Sequence, residues 1–305
     1  MVDKSILSSI GDTPLLELQE GIFIKCEYLN PTGSIKARLA QYMIDRAERE
    51  GHLKPGDTIV EATSGNTGNA LSMVAAVKGY KMVVVMPDGF SSERVAISKG
   101  LGAEVILTKG IDVTMARDKA LELGKQEGWY CPAQFDNPWN IENNERWLGQ
   151  EIIKQIPTGV KIDALVQGVG TGGTLIGVGK VLRENHNPNL KIYAMEPEEA
   201  QTIACGEFAP HAIEGIGDGF IPSIFEQNQH MVTGTVSVKS DKAVAMMKTL
   251  AKNYGTFIGP SSGANWLAAH KIRAENPDVK TVLTFFCDIG EKYLCEHYPH
   301  ADEVR

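Results

Sequence analysis

The sequence predicts an α/β protein built from two parallel-sheet domains. Three observations carry this. Short runs rich in valine and isoleucine alternate with helical stretches along most of the chain, as strands buried on both faces require. The alternation breaks once, at the Pro- and Asn-rich "CPAQFDNPWNIENN", a suitable crossing between domains, and then resumes. The 305 residues, 43% of them hydrophobic, are enough for two cores sharing an interface.

Taken in order, "TIVEAT" is a buried strand, followed by a glycine-rich turn and the apolar helix "NALSMVAAVKG". "KMVVVMP" is a strand, and "SSERVAISKGLG" a helix with Ser91 or Ser92 as its N-cap. "EVILTK" and "VTMARDKALELGKQEG" repeat the strand–helix pair. After the break come the strand "DALVQGVG", the helix "LIGVGKVLREN" and the strand "KIYAMEP". "SDKAVAMMKTLAKNYG" is a helix ending on Gly255, "SGANWLAAHKIRAENP" a further helix and "KTVLTFF" a strand. In such folds ligands bind at the carboxyl ends of strands, where the glycine-rich turns of this chain fall.

Composition excludes several function classes. The net charge of -8 and the lack of basic clusters argue against nucleic acid and anionic membrane as partners. Apolar runs such as "MVVVM" are strand-sized, too short to span a bilayer. Met1 opens no charged-then-apolar leader, so no secretory signal is expected. Cys26, Cys131, Cys205, Cys287 and Cys295 form no CxxC and suit reduced thiols in a cytoplasmic protein. His297 and His300 have no third ligand nearby, so no metal site is expected.

Four stretches carry candidate chemistry. In "NPTGSIKARLAQYMIDRAEREG", Leu39, Met43, Ile44 and Ala47 set a helix from about Ser34, with Lys36 in its first turn. The positive end of a helix disfavours an ammonium there and favours a neutral, nucleophilic amine, although a solvated lysine accounts for the residue equally. In "EATSGNTGNA" a strand ends in Thr63, Ser64, Gly65, Asn66, Thr67 and Gly68, whose N–H groups and hydroxyls make a carboxylate cradle or an ordinary capped turn. In "QGVGTGGTLIG", Gly168, Gly170 and Gly173 fit GxGxxG, with Glu196 where a ribose-binding acid would lie. A nicotinamide-dependent oxidoreductase is therefore one reading; a phosphate monoester held by Gly170–Thr174 is the other. In "FIGPSSGAN", a helix N-cap suffices to explain Ser261 and Ser262.

These stretches, in this order, resemble the cysteine synthase and cystathionine β-synthase family, pyridoxal-phosphate enzymes of fold type II. "IGDTPLLEL" resembles the family's opening and "NPTGSIKAR" its Schiff-base lysine motif. "TSGNTG" resembles its substrate loop, "GTGGT" its phosphate cup and "GPSSGA" its pyridine-contact segment. The likeness runs from about residue 6 to 294. It implies two three-layer α/β domains with the active site in the cleft between them. Residues 1–38 with 142–305 would form the larger, cofactor-binding domain, and 39–141 the smaller, mobile one. It also implies a homodimer, bound pyridoxal 5'-phosphate and a small amino-acid substrate.

Carried over residue by residue, Lys36 would form the Schiff base and Asn66 would contact the ring hydroxyl. Gly170, Thr171, Gly172, Gly173 and Thr174 would hold the phosphate, and Ser261 would face the pyridine nitrogen. Thr63, Ser64, Thr67 and Gln134 would bind the substrate carboxylate. A serine hydroxyl cannot keep the pyridine nitrogen protonated, which favours loss of a β-substituent over transamination.

Departures from the motifs bear on the substrate. Ala37 stands where many members have an acid, "ENNERWLGQE" departs from "HxxTTGPE", and "CDIGEKYL" replaces "DSGERYL". "EGIGDGF" carries Asp218 where many cysteine synthases have a small uncharged residue. Sulfide is already ionised near neutral pH and needs no base, whereas water does, and a carboxylate repels an anionic nucleophile. Asp218 is thus expected to be the base of an enzyme that consumes cysteine and releases hydrogen sulfide, with water or a second thiol as nucleophile, giving L-serine or lanthionine. A tight Asp-Gly turn is the plain alternative for the residue. O-acetylserine sulfhydrylase activity is the alternative for the enzyme.

Overall fold

Among the described residues of the computed structural model (4–89, 92–110 and 113–298) there are ten strands. In chain order they are β1 (Leu15–Gln19), β2 (Ile22–Cys26), β3 (Thr58–Ala62), β4 (Lys81–Pro87), β5 (Glu104–Thr108), β6 (Trp129–Tyr130), β7 (Ala164–Gly168), β8 (Lys191–Pro197), β9 (Gly234–Val238) and β10 (Val282–Phe286). They fall in two compact units. The first comprises the residues up to Ile10, Asn30–Asn137 and the segment from Gly290; the second comprises Gly11–Leu29 and Pro138–Ile289.

The sheet of the first unit is all parallel, in the order β5-β4-β3-β6. Val60, Ala62, Val83 and Val85 pack on Ala116 and Ala120 of the helix Val113–Leu123, forming one side of the core. The helix Asn66–Lys78 packs against β3 and β4 and buries every residue from Thr67 to Ala75. Buried polar side chains on it find partners within the unit: Asn69 Nδ2 donates to the Arg94 carbonyl and Ser72 Oγ to the Gly68 carbonyl. The helix Lys36–Arg49 packs in turn on Asn66–Lys78, burying Leu39, Met43, Ile44 and Ala47.

The sheet of the second unit runs β1-β2-β10-β7-β8-β9, with only β1 antiparallel to its neighbour. Strands β2, β7 and β10 are buried at every position, with helices packed on the sheet. Each fully buried Ile, Val, Leu or Phe here contributes about 1.5–3 kcal/mol. Helix Ser240–Tyr254 ends on Gly255 in the left-handed conformation (φ 68°), the C-cap its sequence suggests.

The β1–β2 hairpin was not among the elements expected. Lys25 interrupts the apolar run of β2, yet it is wholly buried, donating to the Thr13 carbonyl, to Glu151 and to Gln155 Oε1 at 2.7 Å. A buried ammonium is tolerated only with such partners, and they lie far along the chain. Gly21 turns the hairpin at φ +75°, where a Cβ would sit 2.4 Å from the Lys280 carbonyl oxygen. Among the described residues no helix is long and apolar enough to cross a membrane.

Candidate active site

In the first unit, Lys36 opens the helix Lys36–Arg49. The turn before it is unusual: Thr32 and Gly33 both hold left-handed backbone, φ 63° and 62°. For threonine this costs of order 1–3 kcal/mol, and such strain clusters at functional sites. Lys36 is half-buried, and its N–H meets Ser34 Oγ at 3.4 Å.

Thr63 and Ser64 lie between β3 and the helix Asn66–Lys78, and Asn66 and Thr67 open that helix, whose first N–H groups lack partners within it. Thr63 Oγ1 accepts from Gly65 N–H at 2.9 Å, closing the turn. Gly65 is needed twice over: its φ is +143°, and a Cβ would fall 2.0 Å from Arg94 Cδ. Gln134 is held in place: Thr67 Oγ1 donates to its Oε1 at 2.7 Å, and its Nε2 donates to the Ala62 carbonyl at 2.8 Å.

Three residues that support this loop were not anticipated. Glu61, only 1% exposed, accepts from the N–H groups of Ala62 (2.9 Å) and Gln134 (3.1 Å). Burial pushes its carboxyl up to about 8, against those two hydrogen bonds. Arg94, buried, donates to the Ser64 carbonyl and to Tyr293 Oη at 2.6 Å, with its guanidinium over the Tyr293 ring. Lys292, also buried, donates to Asn66 Oδ1 at 2.6 Å and reaches the Gly33 carbonyl at 3.4 Å.

In the second unit, the glycine run lies between β7 and the helix Gly173–Asn185, with Gly172 at φ 80°. The glycines are set by crowding. A Cβ on Gly170 would meet the Gly215 carbonyl oxygen at 2.6 Å, on Gly172 the Phe225 ring at 2.6 Å, and on Gly173 Asn140 Oδ1 at 2.1 Å. Asn140 Nδ2 donates to Thr171 Oγ1 at 3.0 Å. Asn140 lies just before the segment that departs from the family motif, "ENNERWLGQE", which contains the π-helical turn Asn144–Leu148.

Ser261 lies in the first turn of the helix Pro260–Glu275. The neighbouring Ser262 Oγ accepts from Cys287 N–H at 2.9 Å, so its role is to tie the helix to the end of β10. Asn265 Oδ1 accepts from Gly168 N–H at 2.8 Å, joining the same helix to the glycine run. Asp218 is half-buried in a loop with Gly215, Gly217 and Gly219 all left-handed. Gly217 N–H donates to the Val169 carbonyl at 3.0 Å, and His211 Nε2 lies 3.0 Å from the Gly217 carbonyl. The loop is therefore fastened to the glycine run rather than free in solvent.

Several candidate residues are occupied elsewhere. Glu196, the acid of the nicotinamide reading, accepts from the N–H groups of Ile203 (2.6 Å) and Ala204 (3.0 Å) and so caps the short helix Thr202–Cys205. His297 stacks on Tyr293, while His300 and Ser91 lie outside the described residues. The described part of the helix after Ser91 begins at Ser92. Among the described residues, no group of three His, Cys, Asp or Glu is placed to hold a metal ion.

The second unit fits a phosphate-bearing pyridine. Among the described residues, the N–H groups of Gly170, Thr171 and Gly172 meet no acceptor. The Ser261 hydroxyl, on a residue 5% exposed, has no partner there either. Open N–H groups at a helix N-terminus suit a phosphate, and an accessible hydroxyl with no protein partner can meet a ligand atom. A family model described as pyridoxal-phosphate dependent enzyme matches residues 6–288.

The chain belongs to the pyridoxal-phosphate dependent enzymes.

Within that family it is of the cysteine synthase type, acting as a β-replacement enzyme. It is 45% identical over 298 residues to a cysteine synthase of Staphylococcus aureus (strain N315), covering 95% of each chain. It is 38% identical over 298 residues to an O-ureido-L-serine synthase of Streptomyces lavendulae, covering 95% of this chain and 91% of the other. Its fold matches the crystal structure of a hydrogen sulfide-producing enzyme from Fusobacterium nucleatum with a TM-score of 0.90 at 35% identity, covering 96% of this chain and 100% of that one. Five ordered motifs in the sequence point to the same family.

Proposed function

We propose that this enzyme consumes L-cysteine and releases hydrogen sulfide by β-replacement, with Asp218 as the base that readies the incoming nucleophile. With water the products are L-serine and hydrogen sulfide; with a second cysteine they are lanthionine and hydrogen sulfide. Pyridoxal phosphate, when bound, supplies the electron sink that lets the Cα proton and then the β-substituent leave. In this reading Lys36 carries the cofactor and moves the Cα proton. The N–H groups of Gly170–Thr174 and the hydroxyls of Thr171 and Thr174 hold its phosphate, and Asn66 and Ser261 orient its ring. Thr63, Ser64, Thr67 and Gln134 hold the substrate carboxylate.

The observation that carries the direction is the fastening of the Asp218 loop to the glycine run through Gly217 and Val169. An aspartate fixed there can take a proton from water or from a thiol. The same negative charge works against an incoming sulfide anion. The similarity to a hydrogen sulfide-producing enzyme supports this choice. The 45% identity to a cysteine synthase supports the opposite direction, in which O-acetylserine and sulfide give L-cysteine.

Purified enzyme offered L-cysteine alone should release sulfide, with serine or lanthionine identified by mass. Asp218→Asn should keep the first, sulfide-releasing turnover and slow the steps that follow. Inert cysteine, together with rapid conversion of O-acetylserine and sulfide, would overturn the proposal.

A further inference from the structure

Lys292 is a buried lysine next to a residue assigned to the cofactor, and the reaction as derived so far does not use it. It is 2% exposed, and its ammonium donates to Asn66 Oδ1 at 2.6 Å and lies 3.4 Å from the Gly33 carbonyl oxygen. An ammonium has three donors and no acceptor, so it determines which end of the Asn66 amide it meets: the oxygen. The NH2 group is thereby turned the other way, as a donor. An amide whose oxygen is bound to a cation is also polarised, which strengthens its N–H groups as donors.

We propose that Lys292 is a positioning residue that sets and strengthens Asn66 as the hydrogen-bond donor to the ring oxygen of pyridoxal phosphate. The inference rests on the assignment of Asn66 to that oxygen. Lys292 meets two carbonyl groups, Asn66 and Gly33, and so holds the start of the helix Asn66–Lys78 to the turn that leads into Lys36. The resembled motif has arginine at this position. A lysine concentrates the charge in one compact head, which suits a single amide oxygen, whereas a planar guanidinium spreads it over a fork. Arg94 also reaches this segment, through Tyr293, and Glu93 accepts from the Cys295 N–H at 2.9 Å.

The test is a mutant cycle on the holoenzyme, measuring the dissociation constant of pyridoxal phosphate and the visible absorption bands of the bound cofactor. Lys292→Met should weaken cofactor binding about tenfold or more, as loss of a hydrogen bond from a charged donor does, and alter the ratio of the bands. Lys292→Arg, which keeps the charge, should restore most of the affinity and the spectrum. Asn66→Ala should show a loss of its own, and adding Lys292→Met to it should cost little more, because the two residues act as one unit. Losses that multiply in the double variant, or an unchanged spectrum and affinity in Lys292→Met, would overturn the proposal. If Asn66→Ala alone changes nothing while Lys292→Met does, the assignment of Asn66 has failed, and the proposal with it. Should Lys292→Met not fold, the cycle is run with Lys292→Gln, and the same multiplied losses would overturn the proposal.

Discussion

Replacing Glu61 by glutamine removes a titrating group from directly behind the substrate loop while keeping its shape. In the unfolded chain this carboxyl ionises near 4.5; in the folded protein burial moves it to about 8, with Asp136 adding to the rise. Between those values the folded protein holds a proton that the unfolded chain has lost. The stability Glu61 contributes is complete below 4.5 and falls as pH rises through about 8. The gap corresponds to about 5 kcal/mol over the whole range. Glutamine has no such dependence. It instead presents an NH2 group to one of the two N–H donors that Glu61 now accepts, from Ala62 or from Gln134, at a cost of about 1–3 kcal/mol at every pH.

The two stability curves should therefore cross. Glu61→Gln is expected to be the less stable protein near pH 5 and at least the equal of wild type near pH 8. At roughly 2 °C per kcal/mol for a chain of this size, the difference in melting temperature should move by about 8 °C across that range. Scanning calorimetry of both proteins in matched buffers, at equal saturation with cofactor, reads it directly. Parallel curves would refute the reasoning, because they would mean that Glu61 takes up no proton on folding.

Gly173→Ala puts a methyl 2.1 Å from Asn140 Oδ1, which must move and release Thr171; cofactor affinity should drop tenfold or more by equilibrium titration. Arg94→Leu frees the Ser64 carbonyl and Tyr293, so KM for the amino-acid substrate should rise roughly tenfold while the spectrum of the bound cofactor stays as in wild type. In the loop of Asp218, His211 Nδ1 accepts from Ile213 N–H at 3.3 Å, so the neutral ring donates from Nε2 to Gly217; burial holds its pKa below 6.5. Loop stability is thus present above 6.5 and lost as pH falls through the depressed value. Amide exchange at residues 213–219 should speed up on acidification beyond its intrinsic pH trend, and His211→Gln should abolish that excess.

Much of this protein is legible along the chain because the responsible signals are local. Parallel strands buried on both faces demand unbroken apolar runs, so "KMVVVMP" and "KTVLTFF" show themselves, as does the helix end at Gly255. A phosphate cradle needs small residues between a strand and a helix, so "GTGGT" is visible as a unit. The hairpin β1–β2 was hidden because Lys25 breaks the apolar pattern and is reconciled by the Thr13 carbonyl and by the distant Glu151 and Gln155.

The residues that hold the site in shape were hidden for the same reason. Arg94, Asn140, His211 and Lys292 look like ordinary surface or loop residues in the sequence, and Glu61 looks like a lone acid in an otherwise apolar strand. Arg94 reaches Tyr293 across 199 positions and Lys292 reaches Asn66 across 226. A sequence by itself determines which groups perform the chemistry, because that depends on residue type and near neighbours. Which buried polar groups orient them was decided only by the tertiary structure, because a charge or amide removed from water must find partners in space, wherever along the chain they lie.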